Sequence, residues 1–252
     1  MSKDTKENAK YYMVIETSDF LHRLEAHQFN LFTQKLHNGI SNLLEKFNGH
    51  VLKRNDNTYV VTFNNVTDAI LCGLKVHANF KYITPKFDKS IRDLKIGIAK
   101  GYMAASISLA TRMCEVVNDK FVISYTIKTD YEKENRNTFL NRDDIRILKR
   151  SEEEFLTNLM NYTELIWKDA EFSIPQFAEP LGYSTSHVYR KLLALTGKSP
   201  SQFIRDYRLN KAMHLMHYRK GKINEIARKS GFNSPAYFTK CFKNRFKLLP
   251  SK

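Results

Sequence analysis

One pattern occurs twice in the last hundred residues, and it constrains the fold more than anything else in the chain. The first copy places Ile174, Ala178, Gly182, Tyr183, Val188 and Lys191 in the order that Ile223, Ala227, Gly231, Phe232, Tyr237 and Lys240 repeat, at a constant offset of 49 residues. Each element is physically specific. A small residue (Ala178, Ala227) lets two helices approach closely, and a glycine four residues later (Gly182, Gly231) permits the left-handed turn between them. The pattern predicts two helix-turn-helix units, at about residues 173–193 and 222–246, each ending in a helix with a basic outer face. Two such units in tandem predict two reading heads and double-stranded DNA as the partner.

The charge distribution agrees. The chain carries +15, and residues 172–252 hold 16 Lys and Arg against three acidic residues (Glu179, Asp206 and Glu225). Most of the excess therefore lies on the segment with the repeat, as a polyanionic partner requires. No apolar run reaches the ~18 residues of a membrane span, and the first residues are polar, unlike a signal peptide. The expected location is the cytoplasm. Cys72, Cys114 and Cys241 stand singly within apolar patterns, and the eight histidines are scattered. Neither set has metal-ligand spacing, so the sequence calls for no metal and no cofactor.

The N-terminal half reads as an α+β domain. After a disordered tail over residues 1–10, an apolar strand spans 11–17. A helix follows with Phe29, Phe32, Leu36, Ile40, Leu43 and Phe47 at three- and four-residue steps. Two strands, 50–55 and 59–64, are joined by Asp56 and Asn57, a favourable hairpin pair. A helix at 67–80, a polar loop at 81–92 and a strand at 94–99 complete the order β-α-β-β-α-β of a ferredoxin-like sheet. Further elements are expected at 107–117 (helix), 121–124 (strand), 126–134 (helix) and 145–148 (strand). Ser151 and Glu154 have the spacing of a capping box and open a helix to about Trp167, with Phe155, Leu159, Leu165 and Ile166 apolar. The domain boundary is expected between residues 150 and 151, giving 11–150 and an all-α 151–252.

Within the second domain Ser173 is the expected cap of the first positioning helix, and Pro175 lies in its first turn, where no helical N–H is lost. Pro180 should kink or shorten that helix. Residues 201–218 read as a long linking helix, with Phe203, Ile204, Leu209, Ala212, Met213 and Met216 as its buried stripe.

These strings, with Tyr189–Pro200, Phe203–Leu209, Gly231–Phe238, Phe242–Phe246 and Pro250, resemble the DNA-binding domain of the AraC/XylS family of transcriptional regulators. The resemblance implies seven helices, with two recognition helices entering successive major-groove segments ~34 Å apart. It implies transcription regulation, activation more often than repression, and contact with RNA polymerase. If Val188 and Leu192 face the core, then Ser186, Tyr189 and Arg190 point outward as base readers. Arg190 suits a guanine held bidentately and Tyr189 a thymine methyl. On the second helix Phe238 and Phe242 are inward, which leaves Pro235, Ala236, Thr239 and Lys240 toward the groove. Lys191, Ser234 and Lys243 are the expected phosphate contacts. The resemblance departs at the end, where Lys247 stands at a position the family usually gives to glycine.

Residues 12–131 resemble the class III nucleotide cyclase catalytic domain, through the strings at 49–53, 59–63, 67–69, 95–101 and 110–113. That family holds two metal ions on two aspartates. By register those positions fall here at Glu16 and Asn57, the latter neutral, and Asp56 would point to the wrong face of its hairpin. The Asn–Arg pair of the family becomes Ser108 and Arg112. The resemblance thus implies a sensory and dimerisation domain without catalysis, with Glu16, Asn57, Ser108 and Arg112 as a vestigial nucleotide pocket. It also implies a homodimer and a nucleotide or other small-molecule effector. The alternative is a nucleotide-responsive regulator, or an active cyclase, fused to a DNA-binding module.

Overall fold

The computed structural model describes residues 10–17, 29–55, 57–83, 94–136, 138, 140, 143–218 and 220–250. The expected tail at 1–9, most of the loop at 81–92 and Asp56 lie outside them, as do the side chains of Phe29 and Phe32. The chain divides into two compact units, residues 1–153 and 154–252.

The first unit is built on strands β1 (Lys10–Thr17), β2 (His50–Arg54), β3 (Thr58–Phe63), β4 (Leu94–Gly101), β5 (Phe121–Ile123) and β6 (Arg146–Ile147). Its helices are α1 (Phe29–Lys46), α2 (Val66–Ile83), α3 (Met103–Val116) and α4 (Tyr125–Glu134). The sheet order is β2-β3-β1-β4-β5-β6. Each neighbouring pair among the first four strands is antiparallel, in the ferredoxin-like order, and β5 and β6 extend the sheet in parallel from β4. Lys10, expected in the tail, is the first residue of β1 and pairs with Gly101. Residues 81–83, expected in a loop, still belong to α2.

Strand alternation divides the sheet into two faces. Met13, Ile15, Val61, Phe63, Ile96 and Ile98 point to the face covered by α1, α2 and α4 and form the larger core. Val14, Val60 and Ala99 point the other way, against Ala110 and Cys114 of α3. Gly97 allows that second layer to close: a Cβ there would collide with the Ala110 carbonyl.

The second unit contains α5 (Arg150–Ile166, whose first turn falls in the first unit), α6 (Ile174–Ala178), α7 (Thr185–Thr196), α8 (Pro200–His217), α9 (Ile223–Lys229) and α10 (Pro235–Phe246). Helix α5 starts earlier than the Ser151–Glu154 box implies. Glu152 Oε2 accepts the Lys149 amide at 2.8 Å, while Glu153 Oε1 turns to the Tyr125 amide at 2.6 Å. The carboxylate that reaches back is therefore two residues upstream of Glu154. Leu165, expected in the apolar stripe of α5, is 79% exposed, whereas Phe155, Leu156, Leu159 and Met160 are buried. In α8 the buried stripe is Phe203, Ile204, Tyr207, Leu209, Ala212 and Met213; Met216 lies only partly buried at its end.

Pro180 acts as its ring requires. Helix α6 stops at Ala178, and residues Glu179–Leu181 continue as a single 3-10 turn up to Gly182, which is left-handed at φ 72°. Ser173 holds the other end, its N–H and its hydroxyl both donating to Gln176 Oε1.

Candidate nucleic-acid interface

The two helix-turn-helix units are not one rigid copy of each other. Their first helices and turn glycines do stand 49 residues apart: Ile174 and Ile223, Ala178 and Ala227, Gly182 and Gly231. Both alanines are buried and both glycines are left-handed, at φ 72° and 76°. The recognition helices, however, are 50 apart. Ser184 caps α7 by accepting the His187 amide at 3.3 Å, and Ser234 caps α10 by accepting the Tyr237 amide at 3.2 Å. The second turn is one residue longer, since Phe232 and Asn233 lie between Gly231 and the cap where Tyr183 alone lies in the first. The expected equivalence of Lys191 with Lys240 is therefore wrong by one position.

Counting from the caps restores the equivalence. Val188 and Phe238 are both fully buried at the fourth position, and Leu192 and Phe242 are buried at the eighth. Helical periodicity then places the second, fifth and sixth positions outward. In α7 these are Ser186, Tyr189 and Arg190, all exposed. In α10 they are Ala236 and Lys240, both exposed, and Thr239, half-buried. Pro235, at the first position, is also half-buried. The Thr239 hydroxyl donates to the Pro235 carbonyl at 2.9 Å, so toward solvent it offers an acceptor and a methyl group.

The expected phosphate contacts separate into two kinds. Lys243 is exposed, while Ser234 is exposed and already caps its helix. Lys191 stands at the seventh position, equivalent to buried Cys241, and its ammonium lies 5.0 Å from the Tyr183 ring centre and 5.2 Å from that of Phe155. Those rings hold it as a cation–π contact inside the unit, a role sequence reasoning did not foresee. Two outward side chains were also missed: Tyr237, 52% exposed at the third position of α10, and Leu193, 46% exposed in α7. The cap frame is the signal that identifies both.

Arg208 of α8 ties the unit together behind the second turn. Its Nε donates to the Trp167 carbonyl at 2.8 Å and its Nη2 to the Asp169 carbonyl. Burial lowers its pKa from the ordinary arginine value, and the nearby Asp169 opposes that shift. Gly231 sits directly against this link. A Cβ at Gly231 would come within 2.6 Å of the Trp167 carbonyl oxygen and 2.9 Å of Arg208 Nε.

In the first unit, Glu16 lies partly buried on β1 between Thr58 and Lys95 of the flanking strands. The Asn57 carbonyl accepts the Thr17 amide at 2.8 Å, which brings Asn57 to the same end of the sheet. Ser108 and Arg112 are one turn apart on α3, both partly buried, on the helix that packs against β1 and β4. Among the described residues no group of three or more His, Cys, Asp or Glu side chains could hold a metal ion, and no described helix is long and apolar enough to cross a membrane.

Residues 177–252 match a family model described as a helix-turn-helix domain. A histidine kinase P4 of Formosa agariphila is 33% identical over 101 residues, 40% of this chain and 7% of that protein. The HTH-type transcriptional activator RhaS of Mannheimia succiniciproducens is 29% identical over 82 residues, 32% of this chain and 31% of its own length. The chain thus spans less than a third of either relative. Among solved structures, the adenylyl cyclase CyaB of P. aeruginosa aligns with a TM-score of 0.43 and 14% identity, over 50% of this chain and 82% of that one.

Proposed function

We propose that this chain, whose residues 177–252 match a helix-turn-helix domain model, is a sequence-specific, double-stranded DNA-binding transcription regulator of the AraC type that reads two successive major-groove segments. One observation carries the reading. Two helices, each locked by a serine cap and a pair of buried side chains, expose the same second and sixth positions. Such positions reach base edges when the helix enters a major groove.

The two heads differ in what they read. Arg190 brings a planar fork that matches guanine O6 and N7, with Tyr189 and Ser186 beside it. The second head has Lys240 at the equivalent place, a point charge, with Ala236, Pro235 and Thr239 offering small apolar contacts. The first head therefore carries most of the sequence discrimination. Lys243 and Ser234 contact phosphates, and Lys191 assists through its position at the edge of α7.

The first unit serves as a sensory and dimerisation domain without catalysis. A neutral Asn57 and a serine at position 108 support this, because a two-metal mechanism needs a second carboxylate and a steadying amide. Glu16, Asn57, Ser108 and Arg112 form a vestigial pocket for a nucleotide or another small effector. A homodimer, contact with RNA polymerase, activation of transcription and a cytoplasmic location complete the reading. The named activity of RhaS supports activation.

Selection of random duplexes with the full chain tests it. The expected product is a site with two conserved segments one helical turn apart, and no enrichment would contradict it. Incubation with nucleoside triphosphate and Mg or Mn ions is expected to give no cyclic nucleotide; formation of one would replace the non-catalytic reading by the enzymatic one.

A further inference from the structure

Where the two heads come together, the second unit forms an open cleft of about 360 Å³. One wall is the entry to the first helix-turn-helix, at Phe172 and Ile174. The opposite wall is the longer second turn and its cap, at Asn233 and Ser234, with Tyr237 above them. The first two turns of α8 form the floor, through Ser201, Ile204 and Arg205. The extra residue of the second turn, Asn233, therefore lines this cleft.

Its electrostatics are unbalanced. Among the described residues the Arg205 side chain makes no hydrogen bond and no ion pair, although the residue is partly buried. The adjacent carboxylate, Asp206, is occupied elsewhere: Lys198 Nζ lies at 2.8 Å and Arg245 Nε at 3.7 Å. Glu171, next to the lining residue Phe172, accepts the Asn233 side-chain amide at 3.1 Å. The Ser201 hydroxyl adds a donor beside Arg205. A guanidinium held half out of water, with a hydroxyl beside it and no carboxylate of its own, suits a phosphate oxygen.

We infer that this cleft seats a backbone phosphate of the duplex, held by Arg205 and Ser201, between the two segments that the heads read. The inference rests on the reading of the chain as a two-headed DNA binder. The position favours a duplex phosphate over a free anion. The cleft is open rather than enclosed, and its walls carry Ile174 of the first helix-turn-helix and Ser234 of the second, so a duplex bound by both heads would reach it. The seat fixes the spacing of the heads on the duplex and carries no sequence information.

The test uses the full chain and fluorescence anisotropy, with a selected duplex and a scrambled duplex across a salt series. Arg205→Ala is expected to weaken both duplexes by the same factor, about tenfold, and to reduce the slope of log affinity against log salt by about one. Arg205→Lys should keep the slope, and Lys53→Ala, which removes the same charge from β2, should change neither quantity. Circular dichroism melts of Arg205→Ala and Arg205→Lys check that both fold. If Arg205→Ala keeps the affinity and slope of the parent while the parent still prefers the selected duplex, the seat is refuted and the DNA reading survives. If the parent discriminates between no duplexes, the reading itself falls and the seat with it. Inorganic phosphate separates the remaining source. Thermal protection of the parent by phosphate but not by chloride, lost in Arg205→Ala with DNA affinity intact, would make the cleft a free-anion site and overturn the inference.

Discussion

Gly182 and Gly231 occupy the same place in the two helix-turn-helix units and have nearly the same positive φ, yet replacing each with alanine should have very different consequences. At Gly182 an added Cβ meets nothing within 4 Å. The cost is then only that of a left-handed L-residue, about 1–2 kcal/mol. At Gly231 the same backbone cost applies, and the Cβ also meets the Trp167 carbonyl at 2.6 Å and Arg208 Nε at 2.9 Å. A backbone oxygen cannot move cheaply, so the link from Arg208 to the Trp167 and Asp169 carbonyls must yield. Hydrogen bonds of a charged donor contribute about 1.5–3 kcal/mol each, so the loss of one of the two brings Gly231→Ala to about 2.5–5 kcal/mol. That is a large share of the ~5–15 kcal/mol by which domains are stable. The assay is built in: Trp167 is the chain's single tryptophan and lies at the end of α5, so urea unfolding followed by its fluorescence reports the second unit. Equal losses in the two variants would refute the close-approach argument.

Three further outcomes follow from the same geometry. Lys247 is a left-handed residue (φ 61°) at the end of α10, so Lys247→Gly should stabilise the second unit by about 0.5–1 kcal/mol in the same urea assay. Arg190→Ala should lower discrimination at one base pair by about 1–3 kcal/mol, while Lys240→Ala should weaken all duplexes more evenly; competition binding with single-base variants reads both. Burial pushes the Cys72 thiol from its ordinary value near 9 up to about 12. Folding therefore favours the protonated thiol, and its contribution is intact below pH 9 and lost as pH rises toward 12. Urea midpoints between pH 8.5 and 10.5 should fall more steeply for the parent than for Cys72→Ala, and parallel lines would contradict the burial argument.

Much of the fold was legible because it rests on short-range rules. The α+β order followed from strand alternation and helical spacing, and the turn glycines followed from the need for positive φ. The failures have physical causes as well. The one-residue extension of the second turn was masked by chance matches, such as Lys191 with Lys240, which suggested an unbroken offset. Only the cap hydrogen bonds of Ser184 and Ser234 fix where each recognition helix starts. The start of α5 depended on which of three consecutive glutamates reached back, and that choice was made by Tyr125, distant in sequence. Periodicity placed Leu165 inside because it cannot tell where a stripe loses its partner near a helix end. Arg205 lies in the matching string Phe203–Leu209, but the cleft it lines is assembled from three separate segments, which motif reading does not bring together.

In the proposed function one chain lays two recognition helices into successive turns of the same face of a duplex. Hydroxyl-radical footprinting of the full chain on its selected site tests it most directly. Two protected segments on one face are expected, with centres separated by about 10–10.5 base pairs, and with Arg190→Ala loosening only one of them. A single protected segment, or uniform protection that ignores sequence, would contradict it.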